Sequence, residues 1–232
     1  MHAPTLTDSY NYDALLDDIQ QGRRFALVRY NDGEWNAIFQ RHGENCDGHE
    51  YYPDMGRALI ESLQPDPTNG YHVGICPGLL KPREWWASRR VIEFLAARPD
   101  LALCNSLMLQ SASQRGDLGR LFDALRGKRI VFVGNAGMRG IAERIELADF
   151  VEVPERNCWT AGAEIAGRIT FAAIEPGIVM LACGMPAKVW ARQAWRDGGA
   201  ASLLDVGSVL DPYCGRLTRN YMRRGEYVLA AR

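Results

Sequence analysis

Seven short apolar, β-branched runs alternate along the chain with segments of helical spacing. No other feature of the sequence restricts the fold as much. The runs are FALVRY (25–30), YHVGIC (71–76), LALCNS (101–106), RIVFVG (129–134), FVEV (150–153), GIVMLAC (177–183) and ASLLDV (201–206). Each has the length and side-chain type of a buried strand and is closed by turn residues. Between them, Leu118, Leu121, Phe122 and Leu125 recur at helical spacing behind Asp117, a natural N-cap. Residues 82–98 open on Pro82 and stop at Pro99, which predicts a second helix. Residues 12–21 carry Leu15, Leu16 and Ile19 and end at Gly22, which predicts a third. Strands separated by helices predict the α/β class: a Rossmann-like, mostly parallel sheet with helices on both faces. No linker, repeat or low-complexity run divides residues 1–232, so the reading is one domain.

Parallel sheets collect ligands at the carboxyl ends of their strands. Arg29, Asn31, Asp32, Gly33 and Glu34 follow the first strand and are therefore expected at the ligand crevice. In an extended segment Asp32 and Glu34 point the same way, and two converging carboxylates suit a hard ion such as Mg2+ or Mn2+. The alternative is a plain polar Asn-Asp-Gly turn.

Three more strand ends carry candidate chemistry. After the fourth, Gly134, Asn135, Gly137 and Gly140 lead to a helix expected near Met138, whose amides attract phosphate. The spacing is G-x-x-G-x-x-G and not the dinucleotide fingerprint. Even so, Glu152 ends the next strand roughly where a ribose-binding acid sits, which keeps an NAD- or S-adenosylmethionine-dependent enzyme as the alternative. Gly184 and Pro186 repeat the strand-turn-helix arrangement. For both turns, a purely structural role is the competing reading. Asp205, Gly207, Ser208 and Asp211 end the series, with Asp205 as a candidate base. Arg216, Arg219, Arg223 and Arg224 follow, either gripping a diphosphate or forming a solvated face.

The rest of the chain bounds the function. The net charge of -1 gives no general field for nucleic acid. Six dispersed cysteines without a CxxC pair read as reduced thiols of a cytoplasmic protein. The first residues have no apolar leader, and no stretch approaches the ~20 apolar residues of a membrane span. His42, Cys46 and His49 are types that ligate zinc, in a spacing that matches no common finger; the competing reading is a polar loop. Trp35, Trp85 and Trp86 are candidates for stacking on a sugar ring.

Taken in order, the strand-end motifs resemble the GT-D-type glycosyltransferases. RYNDGEW resembles that family's R-x-G-D-G-E segment. VFVGN follows, then VEVPERNCW at the place of I-x-x-P-x-x-N-A-[FW]. LACGMPAKVWA stands at the place of L-G-P-T-A-x-x-L-A, and LLDVGSVLDPY at that of I-D-I-G-H-x-D. The resemblance runs over residues 25–213. Asn31 stands where the family has glycine, Met185-Pro186-Ala187 where Pro-Thr-Ala is common, and Ser208 where histidine is frequent. The acid that follows is displaced to Asp211, and NSLMLQSASQR lacks the family's S-R-P-Y run.

The resemblance implies metal-dependent transfer of a hexose from a nucleotide-diphosphate sugar, in particular a UDP-sugar, to a glycan, glycoconjugate or small-molecule hydroxyl. It implies Mn2+ or Mg2+ on Asp32 and Glu34, and Arg29 with the turns at Gly134, Gly184 and Gly207 around the diphosphate. Asn157, Trp159 and Thr160 would lie on the nucleotide side, and Asp205 or Asp211 would orient the acceptor. A DNA-base acceptor gripped through Arg216–Arg224, as in phage sugar transferases, is a variant of the same reading. A binding module that kept the fold without catalysis is a third possibility.

Overall fold

The structure is a computed structural model that describes residues 4–45, 48–68 and 70–230. Its centre is a seven-stranded, all-parallel sheet in the order β3-β2-β1-β7-β6-β4-β5. The strands are β1 (Ala26–Tyr30), β2 (Tyr71–Ile75), β3 (Leu103–Asn105), β4 (Ile130–Gly134), β5 (Asp149–Glu152), β6 (Ile178–Ala182) and β7 (Ser202–Asp205). Every one lies within, or one residue outside, an apolar run of the sequence. The chain lays β1 to β3 outward from the centre, starts again on the far side with β4 and β5, and returns through β6 to place β7 beside β1. This reversal of direction opens a crevice above the carboxyl ends of β1, β7, β6 and β4.

The sheet separates two apolar clusters, so helices cover both faces as expected. Side chains alternate across it. Ala26, Val28 and Tyr30 of β1 and Val131 and Val133 of β4 face one cluster. Phe25 and Leu27, and Ile130 and Phe132, face the other. The first cluster is completed by α2 (Asp32–Ile38), α3 (Pro53–Ser62), α4 (Ser88–Ala96), α7 (Gly162–Ala172) and α8 (Ala187–Arg196). The second is completed by α1 (Tyr12–Gln21), α5 (Met108–Arg115) and α6 (Leu118–Leu125). A short helix, α9 (Asn220–Arg223), lies near the end of the chain.

Some helix ends differ from the expectations. The helix assigned to residues 82–98 begins only at Ser88. The residues before it are turns, where Trp85 packs on the core and the Trp86 indole donates to Asn36 Oδ1 at 3.1 Å. Asp117 precedes α6, but its side chain does not cap it; it accepts from Arg115 instead. The α-helix expected near Met138 is a 3-10 helix, Ala136–Glu143. Among the described residues no helix is long and apolar enough to cross a membrane. Cys76, Cys104, Cys158, Cys183 and Cys214 are all free thiols, and burial pushes Cys104 and Cys158 up to about 12.

His72 on β2 stacks on Tyr10 with ring centroids 3.4 Å apart. Burial pushes its pKa from 6.5 down to about 4, against a smaller upward pull from Asp18 and Asp66. As pH falls from 6.5 towards 4, the unfolded chain takes up a proton there that the folded chain refuses, so stability is lost across that window. Melting temperatures of the wild type should therefore decline over it, and those of His72→Phe should decline less. An equally steep decline in the variant would assign the slope to another group.

Candidate active site

β1 ends at the crevice with Arg29 and Tyr30. Asn31 then breaks the strand, and α2 starts at Asp32. Asp32-Gly33-Glu34 is thus the first turn of a helix and not the extended segment expected. Residues two apart on a helix lie about 200° apart around its axis, so the two carboxylates do not converge as they would on a strand. The cause is local. Glu34 Oε2 accepts the Asn31 backbone N–H at 2.9 Å, which satisfies a donor that the helix start leaves unpaired. The Asn-x-x-Glu spacing that does this stands in the sequence. Asp32 is exposed, and Glu34 is 6% exposed and turned inward.

Glu34 meets a residue that sequence reasoning did not single out. Lys188, in the first turn of α8, is buried with Nζ 2.8 Å from Glu34 Oε1, 3.0 Å from Asp205 Oδ2 and 3.1 Å from the Gly184 carbonyl oxygen. A lysine near a helix N-terminus opposes the helix dipole, and this was the one sign of it in the sequence. Asp205, at the end of β7, is 1% exposed and fully engaged. It accepts the backbone N–H groups of Arg29 at 3.1 Å and Gly207 at 3.0 Å, and the Arg29 guanidinium lies 3.5 Å away. Burial alone would raise the Asp205 pKa, but Lys188 and Arg29 outweigh it and the net shift is downward. Burial alone would lower that of Lys188, but Asp205 and Glu34 outweigh it and the net shift is upward. Asp205 is therefore a locked anion, and it holds the site's floor instead of standing free as the expected acceptor base. Gly207 sits at φ +50 against the Arg29 guanidinium, which a Cβ there would strike. Arg29 Nε is buried and has no partner among the described residues.

Above this floor lie two cavities of about 770 Å3 and 480 Å3. Both are lined by Asn45, Gly184, Gly207, Ser208 and Arg219, so they form two lobes of one cleft with a shared junction. Arg219 Nε donates to Ser208 Oγ at 2.9 Å. The larger lobe, over β4 and β6, is lined by Asn135, Arg216, Arg223 and the buried Asp211, which accepts from the Thr218 hydroxyl. Arg216 bridges to Glu155 at 2.5 Å. The smaller lobe, over β1 and β2, holds Arg29, Asn31, Asp32, Gly33, Glu34, Lys188, Glu84 and Trp85. Arg224 alone of the four arginines lies outside the cleft, paired with Glu226. Arg216 and Arg219 are partly buried there, and Arg223 is exposed at the rim.

Other expected residues serve the walls. Asn157, at φ +51, accepts the Glu50 N–H at 2.9 Å and gives its own N–H to His49 Nδ1 at 3.1 Å. The Trp159 indole donates to Asp54 Oδ2 at 2.9 Å, and the Thr160 hydroxyl donates to the Asn157 carbonyl. These bonds tie His49, Glu50 and Asp54 to residues 157–159, and Trp159 and Thr160 do not line the larger lobe. Gly134 lies inside β4, and Asn135 Oδ1 takes up the Gly137 N–H that a phosphate would have used. Trp35 is fully buried and stacks on no ligand, while Trp85 lines the smaller lobe. Glu152 is paired with Arg139 at 2.7 Å and lines neither lobe; it borders a third cavity of about 380 Å3 with Asn135 and Gly137. Cys46 of the His42/Cys46/His49 group lies outside the described residues. Among the described residues no three His, Cys, Asp or Glu side chains form a metal cluster.

The donor set also bears on the expected divalent ion. Glu34 spends one oxygen on a backbone amide and the other on an ammonium, and Asp32 stands on a different side of the helix. A cation site built on these two carboxylates does not fit this geometry.

A parallel sheet with helices on both faces and a cleft at its carboxyl edge is a doubly wound α/β architecture. Solved structures share it over nearly the whole chain. Two DUF1792 chains, one described as having a distinct glycosyltransferase fold, match at 18% identity and TM-score 0.66 over 94% of this chain and 81% of theirs. A glycosyltransferase (DUF1792) from Streptococcus sanguinis matches at 15% identity and TM-score 0.66 over 90% of this chain and 82% of its own. The GT-D-like fold implied by the sequence motifs is thus the fold found. No protein-family model and no curated protein matches the sequence.

Proposed function

We propose that the chain is a glycosyltransferase that moves a hexose from a nucleoside diphosphate, UDP foremost, to a hydroxyl of a glycan, glycoconjugate or small molecule. The observation that carries this reading is the two-lobed cleft, whose junction presents two glycines, a serine hydroxyl and the Arg219 guanidinium. A nucleoside fits the larger lobe, a diphosphate the junction, and the transferred sugar and acceptor the smaller lobe, where the Trp85 ring offers an apolar face to a sugar. Breaking the glycosyl–phosphate bond builds negative charge on the departing diphosphate. Arg29, Lys188 and Arg219 are fixed cations set around that position. Asp32 and Glu84 are the carboxylates of the smaller lobe outside the buried ion pairs, and Glu84 is paired with Lys81 at 2.8 Å, which leaves Asp32. It takes the proton from the acceptor hydroxyl.

A thermal-shift panel of nucleoside diphosphates, NAD and S-adenosylmethionine tests the reading. At a hundred times its dissociation constant, the true ligand stabilises by about 2.7 kcal/mol, or roughly 5–10 °C for a chain of this length. UDP or another nucleoside diphosphate should produce that shift. A shift given only by NAD or S-adenosylmethionine would overturn the proposal.

A further inference from the structure

Lys188 Nζ has three oxygen neighbours from three separate elements: Glu34 Oε1 on α2, Asp205 Oδ2 on β7 and the Gly184 carbonyl after β6, all between 2.8 and 3.1 Å. The side chain is 5% exposed, and the two carboxylates come from different ends of the sequence. The four buried charges Arg29, Lys188, Glu34 and Asp205 cancel. A converging set of anionic and carbonyl oxygens is the arrangement that would hold a hard cation, and an ammonium already fills it. Oxygen distances near 3 Å suit an ammonium, whereas Mn2+ or Mg2+ would need oxygens at about 2.0–2.2 Å.

We propose that Lys188 is a built-in cation, seated between Glu34 and Asp205 where a divalent ion would otherwise be held, so that this chain handles its anionic ligand without a resident metal. As to what that ligand is, the inference rests on the transferase reading of the cleft. The ion-binding measurement does not depend on that reading.

Mn2+ binding is followed by the loss of the free-ion electron paramagnetic resonance signal, in the absence of nucleotide, for wild type, Lys188→Ala and the double variant Lys188→Ala/Glu34→Gln. The wild type should leave the signal undiminished. Lys188→Ala, which frees two buried carboxylates, should bind one Mn2+ per chain. The double variant should lose about ten-fold or more of that affinity. Lys188→Arg should behave as wild type. One Mn2+ bound tightly by the wild type and lost in Glu34→Gln overturns the proposal, as does a folded Lys188→Ala that binds no better than wild type. If Lys188→Ala does not fold, the wild type and Glu34→Gln titrations decide alone. UDP binding measured by calorimetry in chelator and in Mn2+ should be equal. Absence of UDP binding in both would count against the transferase reading and leave the cation assignment to the resonance result.

Discussion

Replacing Asp205 by alanine should cost about 3–5 kcal/mol of stability, the range for breaking a buried ion pair by removing one partner. The size follows from what is left behind. Asp205 is 1% exposed and faces two cations, Lys188 at 3.0 Å and Arg29 at 3.5 Å. It also accepts the Arg29 N–H at 3.1 Å. Without it, Glu34 alone balances two buried positive charges, and an amide at the end of β1 loses its acceptor. Uncompensated burial of charge is far more expensive than the intact pair is favourable. For a chain of this length the loss corresponds to about 6–20 °C in melting temperature. Asp205→Asn keeps an oxygen for the amides and removes only the charge, so it should fall between wild type and alanine.

The same network sets a pH signature. Asp205 has a lowered folded pKa, so its contribution is present above the unfolded aspartate value near 3.9 and fades as pH falls below it. Lys188 has a raised one, so its contribution is present below the unfolded lysine value of about 10.4 and fades as pH rises above it. The difference between wild type and Asp205→Ala should therefore be flat through neutral pH and shrink at both extremes. Denaturant melts across pH check this, and a difference within about 1 kcal/mol at neutral pH would show that the network contributes little beyond an ordinary point mutation.

How much of this was legible in the sequence follows from the range of the forces involved. The strands could be read because each is buried on both faces, so nearly every residue of VFV or IVMLA must be apolar whatever its neighbours are. Their alternation with helices gave the parallel sheet, and the sheet gave the edge where ligands meet. Arg29, Ser208 and Asp211 could accordingly be placed at the cleft from the sequence. The turn after β1 carries two competing local signals: Asn31 and Glu34 are spaced as a capping pair, and Asp32 and Glu34 are spaced as converging strand acids, and the cap prevails. Lys188 was not legible, because its meaning depends on Glu34 and Asp205, which lie 154 and 17 residues from it, arriving at the same point. The late start of α4 is of the same kind. Residues 82–87 have a helical look, and the Trp86 contact to Asn36 on α2 holds them as turns.

Arg219→Ala should reduce sugar transfer by about 10²–10³-fold, the usual consequence of removing one fixed donor from developing charge. Arg219 is the residue that both lobes share and that carries a positive charge, and its Nε bond to Ser208 aims the guanidinium along the junction. Because it is only partly buried, its loss should change the melting temperature far less than the loss of Asp205. Stability and turnover then separate the two residues: Asp205 holds the floor, and Arg219 acts on what lies above it. Lysine at 219 restores a point charge without the planar fork, and so should recover part of the rate but not all of it. The ligand series sharpens the test. If the junction holds a diphosphate, Arg219→Ala should weaken UDP strongly and uridine hardly at all, since uridine lacks the phosphates that the guanidinium would meet. Equal weakening of both would place the nucleoside itself against Arg219 and reverse the orientation of the donor in the cleft.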